Sequence, residues 1–148
     1  MEIHTKYFGK LPFSEEEAIL FPNGLFGFEN NKKYVVIRFE NDNDSLLCLQ
    51  NLEDESLAFI IINPFAFISD YSPTMSNFDL SDIEANPETP LIFYNICVIR
   101  ENILESTVNL KCPLAVNPET RKAKQIILDD TNYSFRLPFE KLIKKEEL

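Results

Sequence analysis

The side chains in this sequence that could do chemistry are few and poorly spaced for it. The only histidine is His4, near the N-terminus. A metal site built from His, Cys and carboxylates needs ligands a few residues apart, and neither a CxxC nor an HxxxH pair occurs. Ser–His–Asp or Cys–His chemistry would have to recruit His4, with no nucleophile-elbow motif beside it. Gly24-Leu25-Phe26-Gly27 lacks the third glycine or following lysine of a phosphate cradle. Carboxylates adjoin in Glu53-Asp54-Glu55 and Asp129-Asp130, but both clusters read as turn residues beside strands. This inventory predicts no enzyme, no cofactor and no metal. Cys48, Cys97 and Cys112 are odd in number, widely spaced and set among apolar neighbours. They read as buried free thiols in a reducing, cytoplasmic setting.

Charge carries more information than chemistry here. The chain has 148 residues and a net charge of −10. Residues 1–38 hold five bases and five acids, and residues 100–148 hold nine bases and eight acids. Between them, Phe39–Ile99 contains eleven acids and no Lys, Arg or His. Such a field repels nucleic acid and attracts a basic partner, although many acidic surfaces serve only solubility. The densest basic patch is Arg121, Lys122 and Lys124. It has no adjacent aromatics, so it is a poor platform for a nucleic-acid strand. It reads instead as the solvated start of a strand. Phe65, Phe67, Tyr71 and Phe78 lie inside the acidic segment, and aromatics rimmed by charge suit a protein-binding hot spot. Phe65 and Phe67 are expected to cap the core, Tyr71 and Phe78 to be exposed.

The elements that must position these residues are mostly strands. With 45% hydrophobic and 26% charged residues the chain is globular. Met1–Lys10 carries charge and no apolar run, which predicts no signal peptide, and no apolar run is long enough to span a membrane. Short runs rich in Ile, Val, Phe and Tyr alternate with Asn, Asp, Pro and Glu. Strands are predicted near 2–8, 17–21, 34–39, 46–50, 58–62, 91–100, 105–111, 114–117, 122–128 and 133–137. Ala58–Ile62, apolar on both faces, is expected to be central. A helical turn is predicted near 76–85, with Ser76 or Asp79 as N-cap and Pro87 and Pro90 beyond its end. Asn117-Pro118-Glu119-Thr120 suits a type I turn. With three glycines, Asn and Asp are expected at most positive-φ positions. The fold class is all-β and mainly antiparallel: a small barrel-like or sandwich domain over 1–139, then a short helix or tail over 140–148.

Four stretches in register resemble the family of bacterial flagellar assembly factors called FliW. Ile19-Leu20-Phe21-Pro22-Asn23-Gly24-Leu25-Phe26-Gly27-Phe28-Glu29 is similar to its "FPxGLxGFE" segment. Leu49-Gln50-Asn51 through Leu57-Ala58-Phe59, and Asn63-Pro64-Phe65 followed by Asp70-Tyr71, resemble two more. The fourth runs from Val108-Asn109-Leu110 through Pro113-Leu114 and Val116-Asn117-Pro118 to Lys124-Gln125. Cys112 and Ala123 depart from the pattern, which has Ala and Gly there. The resemblance covers about residues 2–138 and implies a non-enzymatic regulator. Its implied partners are CsrA, a basic RNA-binding dimer that represses flagellin translation, and flagellin itself. Flagellin would displace CsrA in a partner switch.

Charge and aromaticity, independent of the resemblance, nominate Asp70, Tyr71, Phe78, Asp79, Asp82 and Glu84 as the protein-binding residues. The free protein is expected to be a monomer that contacts neither nucleic acid nor membrane. A small-molecule-binding β-barrel is the alternative, since closed barrels often hold a ligand.

Overall fold

The computed structural model describes residues 1–39, 46–129 and 132–142, and its strands form where branched and aromatic side chains run together. β1 (Glu2–Thr5) and β2 (Gly9–Pro12) make a separate two-stranded hairpin, of which the sequence predicted only the first strand. β3 (Ile19–Leu20), β4 (Lys33–Arg38), β5 (Leu46–Asn51) and β6 (Ala58–Ile62) follow as an antiparallel series. The helix α1 (Asn77–Asp82) comes next, then β7 (Ile92–Val98), which pairs with β6. β6 is thus central, as its apolar sequence predicts. The second half of β7 pairs with β8 (Thr107–Val108), and its first half with β9 (Leu114–Val116). The sheet therefore splits at β7. β9 leads to β10 (Ala123–Gln125), and β8 pairs with β11 (Leu137–Pro138). Residues 139–142 are helical; the rest of the predicted tail, 143–148, lies outside the described residues.

The sheet curls until β3 meets the start of β10 through one parallel bridge, Leu20 to Lys122, with Leu20 N donating to Arg121 O at 2.9 Å. The architecture is barrel-like without a continuous closing ladder. Side chains alternate between two cores, as pleating requires. One face carries Tyr34, Leu47, Leu49, Ile61, Leu114 and Val116, filled out by Phe21 and Leu25. The other carries Ile62, Cys97 and Val108, covered by Ile68, Tyr71, Ile126, Leu128, Phe139 and Leu142. All three cysteines are free and buried.

Three local expectations change. Strands predicted over 105–111, 122–128 and 133–137 shrink to the ladders Thr107–Val108, Ala123–Gln125 and Leu137–Pro138, and bonds at Asn109 and Ser134 take the place of ladder pairing over 109–112. Asn109 Oδ1 accepts from Cys112 N at 2.9 Å, and Ser134 O accepts from both Leu110 N and Lys111 N. The 117–120 turn is one residue longer than a type I turn, closing from Arg121 N to Asn117 O at 2.8 Å with Arg121 at φ 61°. Among the described residues, the non-glycine positions at positive φ are Glu84 and Arg121 rather than Asn or Asp; Asn41–Asp44 and Asp130 lie outside the described residues. Asn and Asp side chains instead cap turns: Asn51, Asp54, Asn63, Asn102 and Asn117 each accept a nearby backbone N–H.

Candidate partner-binding surface

The predicted helical turn is α1, and Ser76 is its cap: the hydroxyl accepts from Asp79 N at 3.0 Å. Asp79 and Asp82, three residues apart, share one side of the helix. Ala123 and Gln125 of β10 are buried, and Lys124 between them points the other way, toward α1. Its Nζ donates to Asp79 Oδ1 and to Asp82 Oδ2, each at 2.7 Å. The same ammonium lies 4.8 Å from the centre of the Phe78 ring. Burial opposes the charge on Lys124, yet hydrogen bonds and attraction from Asp79 and Asp82 outweigh it and raise its pKa. Beyond the helix, Glu84 lies 3.2 Å from Lys122 Nζ. Asn117 Nδ2 and Thr120 Oγ1 both donate to Ile83 O, at 2.9 and 3.3 Å, so the turn before β10 holds the helix C-terminus. Arg121 donates from Nη2 to Glu17 O at 2.7 Å. The basic patch is therefore not a solvated strand start, as expected; it is tied into the molecule, and it neutralises part of the acidic segment.

The nominated residues do not form one surface of uniform kind. Phe78 is exposed at 73%, as expected. Asp70 is exposed too. Asp79 and Asp82 meet Phe78 around the Lys124 ammonium, and Glu84 pairs separately with Lys122, so all three acids are ion-paired. Tyr71, expected to be exposed, is buried at 4%. The correction has a structural reason. Its hydroxyl donates to Leu110 O at 2.6 Å and accepts from Asn95 Nδ2 at 3.2 Å, and its ring packs edge-on against Tyr133 at 4.8 Å. Phe67 is half-buried against the second core, whereas Phe65 stays 44% exposed beside Phe93 and Tyr71. Phe26 and Phe28, two exposed aromatics outside the acidic segment, were not nominated. Gly24 makes their loop possible: at φ +66° any Cβ would stand 2.6 Å from the Glu29 and Phe28 backbone. Lys124 was also missed, because its partners lie 42 and 45 residues away.

The residues that carry the family resemblance are largely braces. Gln50 accepts from Lys6 N at 2.9 Å, holding the β1–β2 hairpin, and donates to the Glu55 and Leu57 carbonyls of the β5–β6 turn. Asn51 caps the same turn. Gln125 Oε1 accepts from Phe26 N at 2.9 Å, tying the 21–29 loop to β10. Among the described residues, no three of His, Cys, Asp and Glu stand close enough to hold a metal ion, and no helix is long and apolar enough to cross a membrane.

Fold and surface together define a small, mainly antiparallel β protein whose sheet curls around one core and buries a second behind it. The sequence profile of the FliW protein family matches residues 2–139. The chain is 37% identical over 133 residues to the flagellar assembly factor FliW of Alkaliphilus metalliredigens, covering 90% of this chain and 82% of that one. It is 32% identical over 148 residues to that of Ruminiclostridium cellulolyticum, covering all of both chains. It is 35% identical over 140 residues to that of Bacillus subtilis, covering 93% and 96%. A crystal structure of the flagellar assembly factor FliW superposes with a TM-score of 0.86 at 28% identity, covering 93% of this chain and 96% of that one. The chain belongs to the FliW family of flagellar assembly factors.

Proposed function

We propose that this protein is a non-enzymatic, cytoplasmic regulator of flagellar assembly that captures CsrA and is itself captured by flagellin. Family membership over residues 2–139 carries the reading. The excess of acid in the middle of the chain supports it, since a basic RNA-binding dimer is drawn to such a field. The ion pairs around Lys124 refine the mechanism. Asp79 and Asp82 offer a basic partner less charge than their sequence suggests, and the exposed Phe78 beside them supplies apolar contact. Asp70 is exposed and lies outside those pairs.

The test is a gel-shift assay of CsrA on flagellin leader RNA. Adding the purified protein should free the RNA, and adding flagellin should restore the CsrA–RNA complex. Asp70→Lys should weaken release without unfolding the chain. An RNA complex indifferent to the wild-type protein overturns the reading.

A further inference from the structure

A groove of about 770 Å³ opens where the sheet splits at β7, a size typical of ligand-binding clefts. Its apolar part comes from Ile96 and Val98 of β7 and from Tyr133 and Phe135 on the segment leading into β11. That second wall is fixed by backbone bonds, because Leu110 N and Lys111 N both donate to Ser134 O, at 2.9 and 3.2 Å. Val98 is 51% exposed and Phe135 56%. The β7–β8 connection adds exposed Ile99, Ile103 and Leu104 just beyond Val98.

Among the described residues, Lys111 and Arg136 are the charged ones lining the groove, and no carboxylate lines it. Lys111 Nζ sits 5.7 Å from the centre of the Phe135 ring, so cation and apolar surface are side by side. Among the described residues neither Lys111 nor Arg136 forms an ion pair. Arg121, Lys122 and Lys124, in contrast, are committed to carbonyls or carboxylates. In a protein of net charge −10, this is a positive cleft with an exposed aromatic in its wall, and it shares no lining residue with the α1 surface.

We propose that this groove is a docking site for a short acidic peptide segment bearing branched aliphatic or aromatic side chains. The carboxylates would meet Lys111 and Arg136, and the apolar side chains would seat on Val98 and Phe135. Charge complementarity selects an acidic occupant. The field of the whole molecule selects a short segment over a polyanion, whose many charges it would repel.

The probe is a fluorescein-labelled peptide alternating Glu with Leu and Phe, titrated with the full chain and read by anisotropy. Saturable binding is expected. The double variant Lys111→Glu with Arg136→Glu should weaken it by about tenfold or more, and Phe135→Ala, at an exposed position, should also weaken it. Lys10→Glu with Lys32→Glu makes the same change in net charge elsewhere, and the affinity should stay within about twofold because remote charges are screened. Circular dichroism checks that each variant is folded. Absence of saturable binding overturns the proposal, as does equal binding of the same peptide with Gln in place of Glu. An equal loss in the remote double variant, or tighter binding of single-stranded oligothymidylate than of the peptide, also overturns it.

Discussion

Tyr71 shows how a residue can be found by pattern and misplaced by it. An aromatic next to an aspartate in an acidic segment has the composition of a binding hot spot. In the folded chain it is a brace instead. Its hydroxyl pins the chain after β8 by accepting from Asn95 and donating to Leu110 O. Removing a buried hydroxyl leaves its partners unsatisfied, at a cost of about 1–2 kcal/mol. Tyr71→Phe should therefore lower the free energy of unfolding by that amount in a urea titration. Affinity for a partner should be unchanged in the variant at temperatures where it remains folded. A loss of affinity without loss of stability would return Tyr71 to the binding surface. The three thiols, in contrast, sit where the sequence predicted, because small apolar side chains among apolar neighbours have no alternative to burial.

Among the elements, α1 depends most on distant residues. Six residues make a helix too short to persist in water by itself. The Ser76 cap, the Asn117 and Thr120 bonds to Ile83 O, and the bridge from Lys124 to Asp79 and Asp82 hold it against β10. Lys124→Met keeps the aliphatic stem and deletes the charge, leaving two neighbouring carboxylates without their cation. We expect a loss of about 1 kcal/mol, smaller in high salt because the pairs are partly exposed. Amide hydrogen exchange at Leu80 and Ile83 should quicken more than exchange in β5 or β6. Unchanged protection of those two amides would mean that the bridge does not hold the helix. The helix itself was legible from Ser76, its first-turn acid and the prolines that follow. Its clamp was not, since nothing local in either segment encodes the other.

At the scale of the whole molecule, two cores share one sheet, and both bury titratable groups in neutral form. Burial pushes the Cys48 thiol up to about 11 and the Cys97 thiol up to about 12, from an ordinary value near 9. It likewise pushes the Tyr34 and Tyr71 phenols up to about 12 from 10. In each case the folded-state pKa lies above the unfolded one, so the folded state holds more protons in this range. Stability from these groups is complete below about pH 9 and falls as pH rises toward 12. Urea midpoints measured stepwise from neutral pH should decline across that window. A midpoint that stays flat to pH 11 would show that these groups are not buried as described.

The sequence by itself determined what neighbours along the chain decide. Apolar runs broken by Asn, Asp and Pro made the protein mainly antiparallel β, the all-apolar Ala58–Ile62 made β6 central, and Ser76 set the start of α1. Its motifs also pointed to the family, because the turns and braces around Gln50, Asn51 and Gln125 need particular side chains at particular places. Only the tertiary structure decided which charges remain available. Curling of the sheet carries β10 past α1, so Lys124 meets Asp79 and Asp82. The split at β7 leaves Lys111 and Arg136 in a groove that no carboxylate lines among the described residues. Local patterning depends on steric preference and burial of near neighbours, which a linear sequence displays. Charge pairing depends on which distant strands are brought together, and only the folded chain settles that.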